Sequence, residues 1–227
     1  MDIAIKRIHG IAGICIGVAF AGQLSRFLWL ERNLQPVEAQ NFYALEDVIS
    51  IIDSPMWSLT GVLHVIVAAA LVALALPESK QGPGRDLRLQ PRAMAAAIAS
   101  GMFLLLGMTH LIGVPQIRTL SDFCAEDGRT VLAAYSLLRV VLLGSGLFAL
   151  GWFLVFDAGS KLGSGIKPRL IPVIGLIAGV LCVLFAFFYT AAPQLLTTLM
   201  MAAVAVWGSG QALPQSGRLT QDTDIGG

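Results

Sequence analysis

The stretch LIPVIGLIAGVLCVLFAFFYT, Leu170–Thr190, runs for 21 residues without a charged side chain. At 1.5 Å of rise per residue, about 20 apolar residues in a helix cross a hydrocarbon core of about 30 Å. A helix apolar on every side has no face to offer water, so it sits either deep in a large protein or in a bilayer. The whole chain is 227 residues, too short to bury several such segments in a water-soluble core. The stretch reads as a membrane span.

Working outward from it, five more segments qualify as spans or come close: Ile8–Leu24, which is short, Met56–Leu76, Ala93–Val114, Val131–Phe156, which holds Arg139, and Pro193–Ala212. The last two spans are nearly fused. Pro193 separates them, because proline cannot continue a helix but fits the first turn of a new one. The expectation is an all-α, polytopic transmembrane bundle of about six helices. It forms a single domain over residues 1–213, followed by a polar tail, 214–227. The alternative at Pro193 is one long bent helix.

Composition agrees. Charged residues make up 13% of the chain and hydrophobic ones 56%, whereas a soluble domain is about one quarter charged. The net charge of +1 leaves no basic face for nucleic acid. Cys15, Cys124 and Cys182 are too few and scattered for a disulfide framework or a thiolate metal site. No metal or cofactor is expected. The partners expected are the lipid bilayer and other membrane subunits, with a lipid or quinone as the alternative.

Orientation follows from the distribution of Lys and Arg. With the N-terminus inside, the cytoplasmic segments hold Lys6, Arg7, Lys80, Arg85, Arg88, Arg92, Lys161, Lys167, Arg169 and Arg218. The opposite side holds Arg26, Arg32, Arg118 and Arg129. Both ends are therefore expected in the cytoplasm, with the protein in a bacterial inner membrane. Lys6 and Arg7, an apolar run and Ala19-Phe20-Ala21 also resemble a cleavable signal peptide. His9 and the glycines Gly10, Gly13 and Gly17 weaken that run as a signal core, so an uncleaved helix is expected. In the long loop after it, Leu45, Val48, Ile49 and Ile52 share one helical face. An interfacial helix over about 42–53 would place that face on the membrane surface or cap the bundle.

Gly13 and Gly17 (with Ala21 continuing the row) and Gly175 with Gly179 recur at four-residue spacing. Small residues let helix backbones approach closely in a bilayer, and that packing drives association. The stripes serve either this bundle or contact with another chain.

The expected spans contain no Asp or Glu; Asp157 falls just past the end of the fourth. That disfavours a carrier using intramembrane carboxylates as proton relays. No nucleophile elbow, phosphate loop or paired-histidine metal motif is present, and no catalytic residue is assigned. Arg139 is the one charge well inside a span, and a central arginine costs about 2.5–3.5 kcal/mol on the insertion scale. Tyr135 shares its face one turn earlier. His64 and His110 lie in the same outer half, so these four residues are the candidate ligand- or partner-binding patch. The plainer reading is a snorkelling arginine and two hydrogen-bonded histidines. Counted along their own spans, the histidines sit at different depths, which argues against one haem held between them.

Three function classes remain. The first is a non-catalytic subunit or scaffold of a membrane complex. The second is a binder or carrier of a lipid, quinone or small anion through the polar patch. The third is a pigment- or haem-binding protein with a histidine ligand.

Overall fold

The computed structural model describes residues 2–28, 55–76, 89–113, 115–116, 119, 125–163, 169–188 and 194–211. The loop helix expected over 42–53, the tail 214–227 and Cys124 lie outside these described residues. Within them the chain is helical and contains no strand. Six α-helices follow in order: α1 (Asp2–Arg26), α2 (Pro55–Ala75), α3 (Leu89–Met108), α4 (Ala125–Gly163), α5 (Leu170–Phe188) and α6 (Gln194–Gly210). α3 continues into one π-helical turn, Thr109–Gly113. The first five helices are long and apolar enough to cross a bilayer. α6 is apolar but shorter, at 17 residues, or about 25 Å of rise.

Prolines are placed where helices tolerate them. Pro55 opens α2, and Pro91 and Pro172 lie in the first turns of α3 and α5, where the N–H they lack has no partner to lose. α5 and α6 are two antiparallel helices, not one bent one: Gly175 of α5 faces Trp207 of α6, and Gly210 of α6 faces Ile171 of α5.

Each helix packs on its neighbour in sequence, and α6 closes on α1. Neighbours are antiparallel throughout, and an even number of helices lets the ring close that way. The start of α1 and the end of α6 therefore lie at one end of the bundle, here called the terminal end; the other is the distal end. Three seams of the ring are drawn tight by glycine. A Cβ on Gly61 would lie 3.0 Å from the Gly107 carbonyl oxygen, joining α2 to α3. A Cβ on Gly151 would lie 2.7 Å from the Gly179 oxygen, joining α4 to α5. A Cβ on Gly208 would lie 2.6 Å from the Gly13 oxygen and 2.6 Å from the Gly17 nitrogen, joining α6 to α1. The glycine stripes thus pack within this chain. Ala21 does not extend the first of them, because it is exposed.

All six helices contribute fully buried apolar side chains, among them Ile16, Leu71, Phe103, Leu106, Phe153, Phe185, Met200 and Trp207. Phe103 meets Phe20 edge-on at 6.4 Å and Phe153 meets Trp207 edge-on at 6.1 Å. The outward faces are apolar too: Leu137, Phe187 and Leu195 are each about two-thirds exposed. A contiguous apolar exterior of this kind is unstable in water and suited to lipid. The protein is an integral membrane protein built as a helical bundle, and α1 is part of its wall, with Ile16, Ala19 and Phe20 buried.

Candidate functional site

α4 is 39 residues long, beginning six residues before Val131 and ending seven after Phe156. This extension corrects the expectation that Asp157 lies at a helix end outside the spans. Asp157 is 1% exposed and lies inside the helix. Arg92 of α3 reaches one carboxylate oxygen at 3.0 Å and Lys161, one turn further along α4, reaches the other at 2.8 Å. Lys161 also donates to Gln211 Oε1 at 2.8 Å, and the Arg92 guanidinium lies 5.4 Å over the Phe153 ring. These contacts tie α3, α4 and the end of α6 together at the terminal end. The sequence places the acid where apolar residues run out, which looks like a boundary; its burial is matched by the two cations that pair with it.

At the distal end the four candidate residues come together. His64 on α2 and His110 on the π-turn are in ring contact, with centroids 5.4 Å apart. The expected difference in depth along their spans does not keep the rings apart. Helical side chains lean toward their own N-terminus, and α2 and α3 run in opposite directions, so the two imidazoles lean toward each other. The contact itself leaves no space for a macrocycle between the rings. Tyr135 of α4 lies 6.1 Å from His110 and accepts a hydrogen bond from Trp57 Nε1 at 3.1 Å. Arg139, one turn along the same face of α4, places its guanidinium 5.1 Å over the Trp57 ring. Trp57 is only the third residue of α2, so Arg139 reaches outward along its own N-terminal lean rather than staying at mid-depth.

Three residues that the sequence reading did not single out complete the cluster. Arg26, at the end of α1, lies 5.3 Å over the same Trp57 ring. Gln23, three residues earlier and so on the same face, meets His64 Nε2 through its side-chain nitrogen at 3.1 Å. Trp57 stacks on His110 at 5.3 Å, and His64 stacks on Phe103 at 5.8 Å. The only cue for Gln23 and Arg26 was their three-residue spacing. A polar residue and an arginine near a span's end are ordinary interfacial anchors.

The cluster's chemistry follows from its hydrogen bonds. His110 Nδ1 donates to the Leu106 carbonyl at 2.9 Å, inside the stretch where the π-turn disturbs the regular α-helical bonding. Gln23 donates to His64 Nε2, which puts the proton of a neutral His64 on Nδ1. That Nδ1 is buried and, among the described residues, has no hydrogen-bond partner. Arg26 and Arg139 are electrostatic neighbours of both imidazoles. Among the described residues, no group of three or more His, Cys, Asp or Glu is placed to hold a metal ion.

No family model, curated protein or solved structure matches this chain. Its function is therefore argued from the site itself.

Proposed function

We propose that this integral membrane protein binds a small molecule, of the lipid, quinone or small-anion kind, at the distal end of its bundle. In this reading the distal end faces away from the cytoplasm of a bacterial inner membrane, as the Lys and Arg distribution favours. One observation carries the proposal: His64 is 7% exposed, yet its Nδ1 has no partner among the described residues. An unmet buried donor costs about 1–3 kcal/mol, and a bundle that needed only to stand could place leucine there. Ionisable groups in a membrane interior mark functional sites by default. Here six polar or ionisable side chains from three helices and a π-turn converge around Trp57.

The test is native mass spectrometry of the chain released from its own membrane in mild detergent. Wild-type protein should retain a small molecule that His64→Phe loses. Identical spectra for the two proteins would refute the reading and leave a buried water as the partner of Nδ1.

A second reading, a subunit of a larger membrane complex, draws on the outward face of α4 and α5. Phe148, Trp152 and Phe187 form an exposed aromatic group there, with Phe148 5.7 Å from Phe187 and 6.4 Å from Trp152. Its other support is weaker now, because the glycine stripes pack inside the chain and Arg139 rests on Trp57. Masses of co-purifying proteins in the same spectra would favour it.

A further inference from the structure

We propose that the ligand of the distal site presents a hydroxyl group, held between His64 Nδ1–H and His110 Nε2. The hydroxyl would belong to a lipid alcohol or to a quinol, the reduced form of a quinone. This rests on the ligand-binding reading above and names the group by which that ligand is recognised.

The basis is the opposite protonation of two imidazoles in contact. In a neutral ring, the hydrogen bond at one nitrogen decides the state of the other. Gln23 donates to His64 Nε2, so Nδ1 of that ring carries the proton. This Nδ1 is buried and, among the described residues, has no hydrogen-bond partner. His110 donates through Nδ1 to the Leu106 carbonyl, so its Nε2 carries a lone pair. One donor and one acceptor therefore stand side by side.

Their spacing lets a single group meet both. The nitrogens of one imidazole point in widely divergent directions, so Nδ1 of His64 faces away from Gln23 and Nε2 of His110 faces away from Leu106. The ring centres are 5.4 Å apart. An oxygen at hydrogen-bond distance from a ring nitrogen lies about 4 Å from that ring's centre, so one oxygen can reach both rings at this separation. The two nitrogens do not bond each other directly, since Nδ1 is without a partner.

The pair is selective. A ketone or an oxyanion accepts from Nδ1–H and offers no hydrogen to Nε2. An ammonium donates to Nε2 and leaves Nδ1–H unmet. A hydroxyl oxygen accepts from the first and donates to the second. Because an unmet buried polar group carries its full desolvation penalty, the site would tell a quinol from its quinone, or a lipid alcohol from its ester.

The experiment uses the full chain in nonionic detergent, with binding read by calorimetry. The probes form two matched pairs: decylubiquinol with decylubiquinone, and dioctanoylglycerol with its acetate, in which the hydroxyl is esterified. In at least one pair the hydroxyl form should bind about tenfold or more tighter. Preference in the first pair alone identifies a quinol, and in the second alone a lipid alcohol. His64→Phe should abolish the preference. His64→Asn, whose amide N–H stands near the Nδ1 position, should keep it, and the comparison within wild type depends on no variant's folding. Equal or reversed affinity within both pairs would overturn the hydroxyl and leave the ligand-binding reading standing. So would a preference that survives His64→Phe. If no probe binds, the small molecule retained in native spectra decides. A hydroxyl-bearing molecule that His64→Phe loses upholds the proposal and any other overturns it. No retained molecule at all overturns both readings and leaves water between the rings.

Discussion

Replacing Asp157 with asparagine removes one negative charge from between two cations at the terminal end of the bundle and changes almost nothing in volume. The carboxylate holds Arg92 at 3.0 Å and Lys161 at 2.8 Å, and those side chains are only 9% and 14% exposed. Removing one partner of a buried ion pair costs about 3–5 kcal/mol, because the remaining charge stays desolvated and unpaired. Two features pull the expectation to the lower end. Arg92 keeps its position over Phe153, and Lys161 keeps its bond to Gln211. The expected loss is about 3 kcal/mol, or about two decades in the folded-to-unfolded ratio at 1.4 kcal/mol per decade. Reversible unfolding in mixed micelles, titrated with sodium dodecyl sulfate, measures it directly. The triple variant Arg92→Met, Asp157→Leu, Lys161→Met should recover most of the loss, since it removes the desolvation cost together with the attraction. An Asp157→Asn chain within about 1 kcal/mol of wild type would refute the reasoning. The cluster would then behave as a water-screened surface pair.

Leucine at Gly151 or Gly13 should destabilise the bundle by about 1–3 kcal/mol, the usual cost of overpacking, because each faces backbone atoms across a seam. Leucine at Gly101, whose Cβ would meet nothing within 4 Å, is the control, and equal losses at all three positions would show the seams to be unimportant. Arg139→Leu gives up at least the cation–π contact with Trp57, about 0.5–2 kcal/mol, and should abolish retention of the distal ligand in protein that remains folded. Arg139→Lys, which keeps charge but loses the planar fork, should fall between; unchanged retention in the leucine variant would assign Arg139 to structure alone. Cysteine labelling in intact cells should reach Cys124 from outside and leave a cysteine placed at Arg88 protected, and external labelling at that position would reverse the orientation.

Charge-free runs of about 20 residues name a membrane helix on their own, because the cost of placing each side chain in lipid is set residue by residue. The class of the protein, its succession of apolar helices and the break between α5 and α6 were therefore legible from local composition alone. The same local logic marked Arg139, His64, His110 and Tyr135 as polar groups in apolar company. It passed over Gln23, Arg26 and Trp57, since polar and aromatic residues near a span's end are commonplace. It also ended the fourth span at the first acid, though α4 continues to Gly163. That the marked residues form one cluster, that the glycine stripes close this ring, and that Asp157 is buried between Arg92 and Lys161 emerged with the packing of the helices. Hydropathy is additive along a chain. Which helix faces meet is decided by close packing between residues far apart in sequence, where a glycine sets how near two backbones come and the direction of each helix sets where its side chains lean.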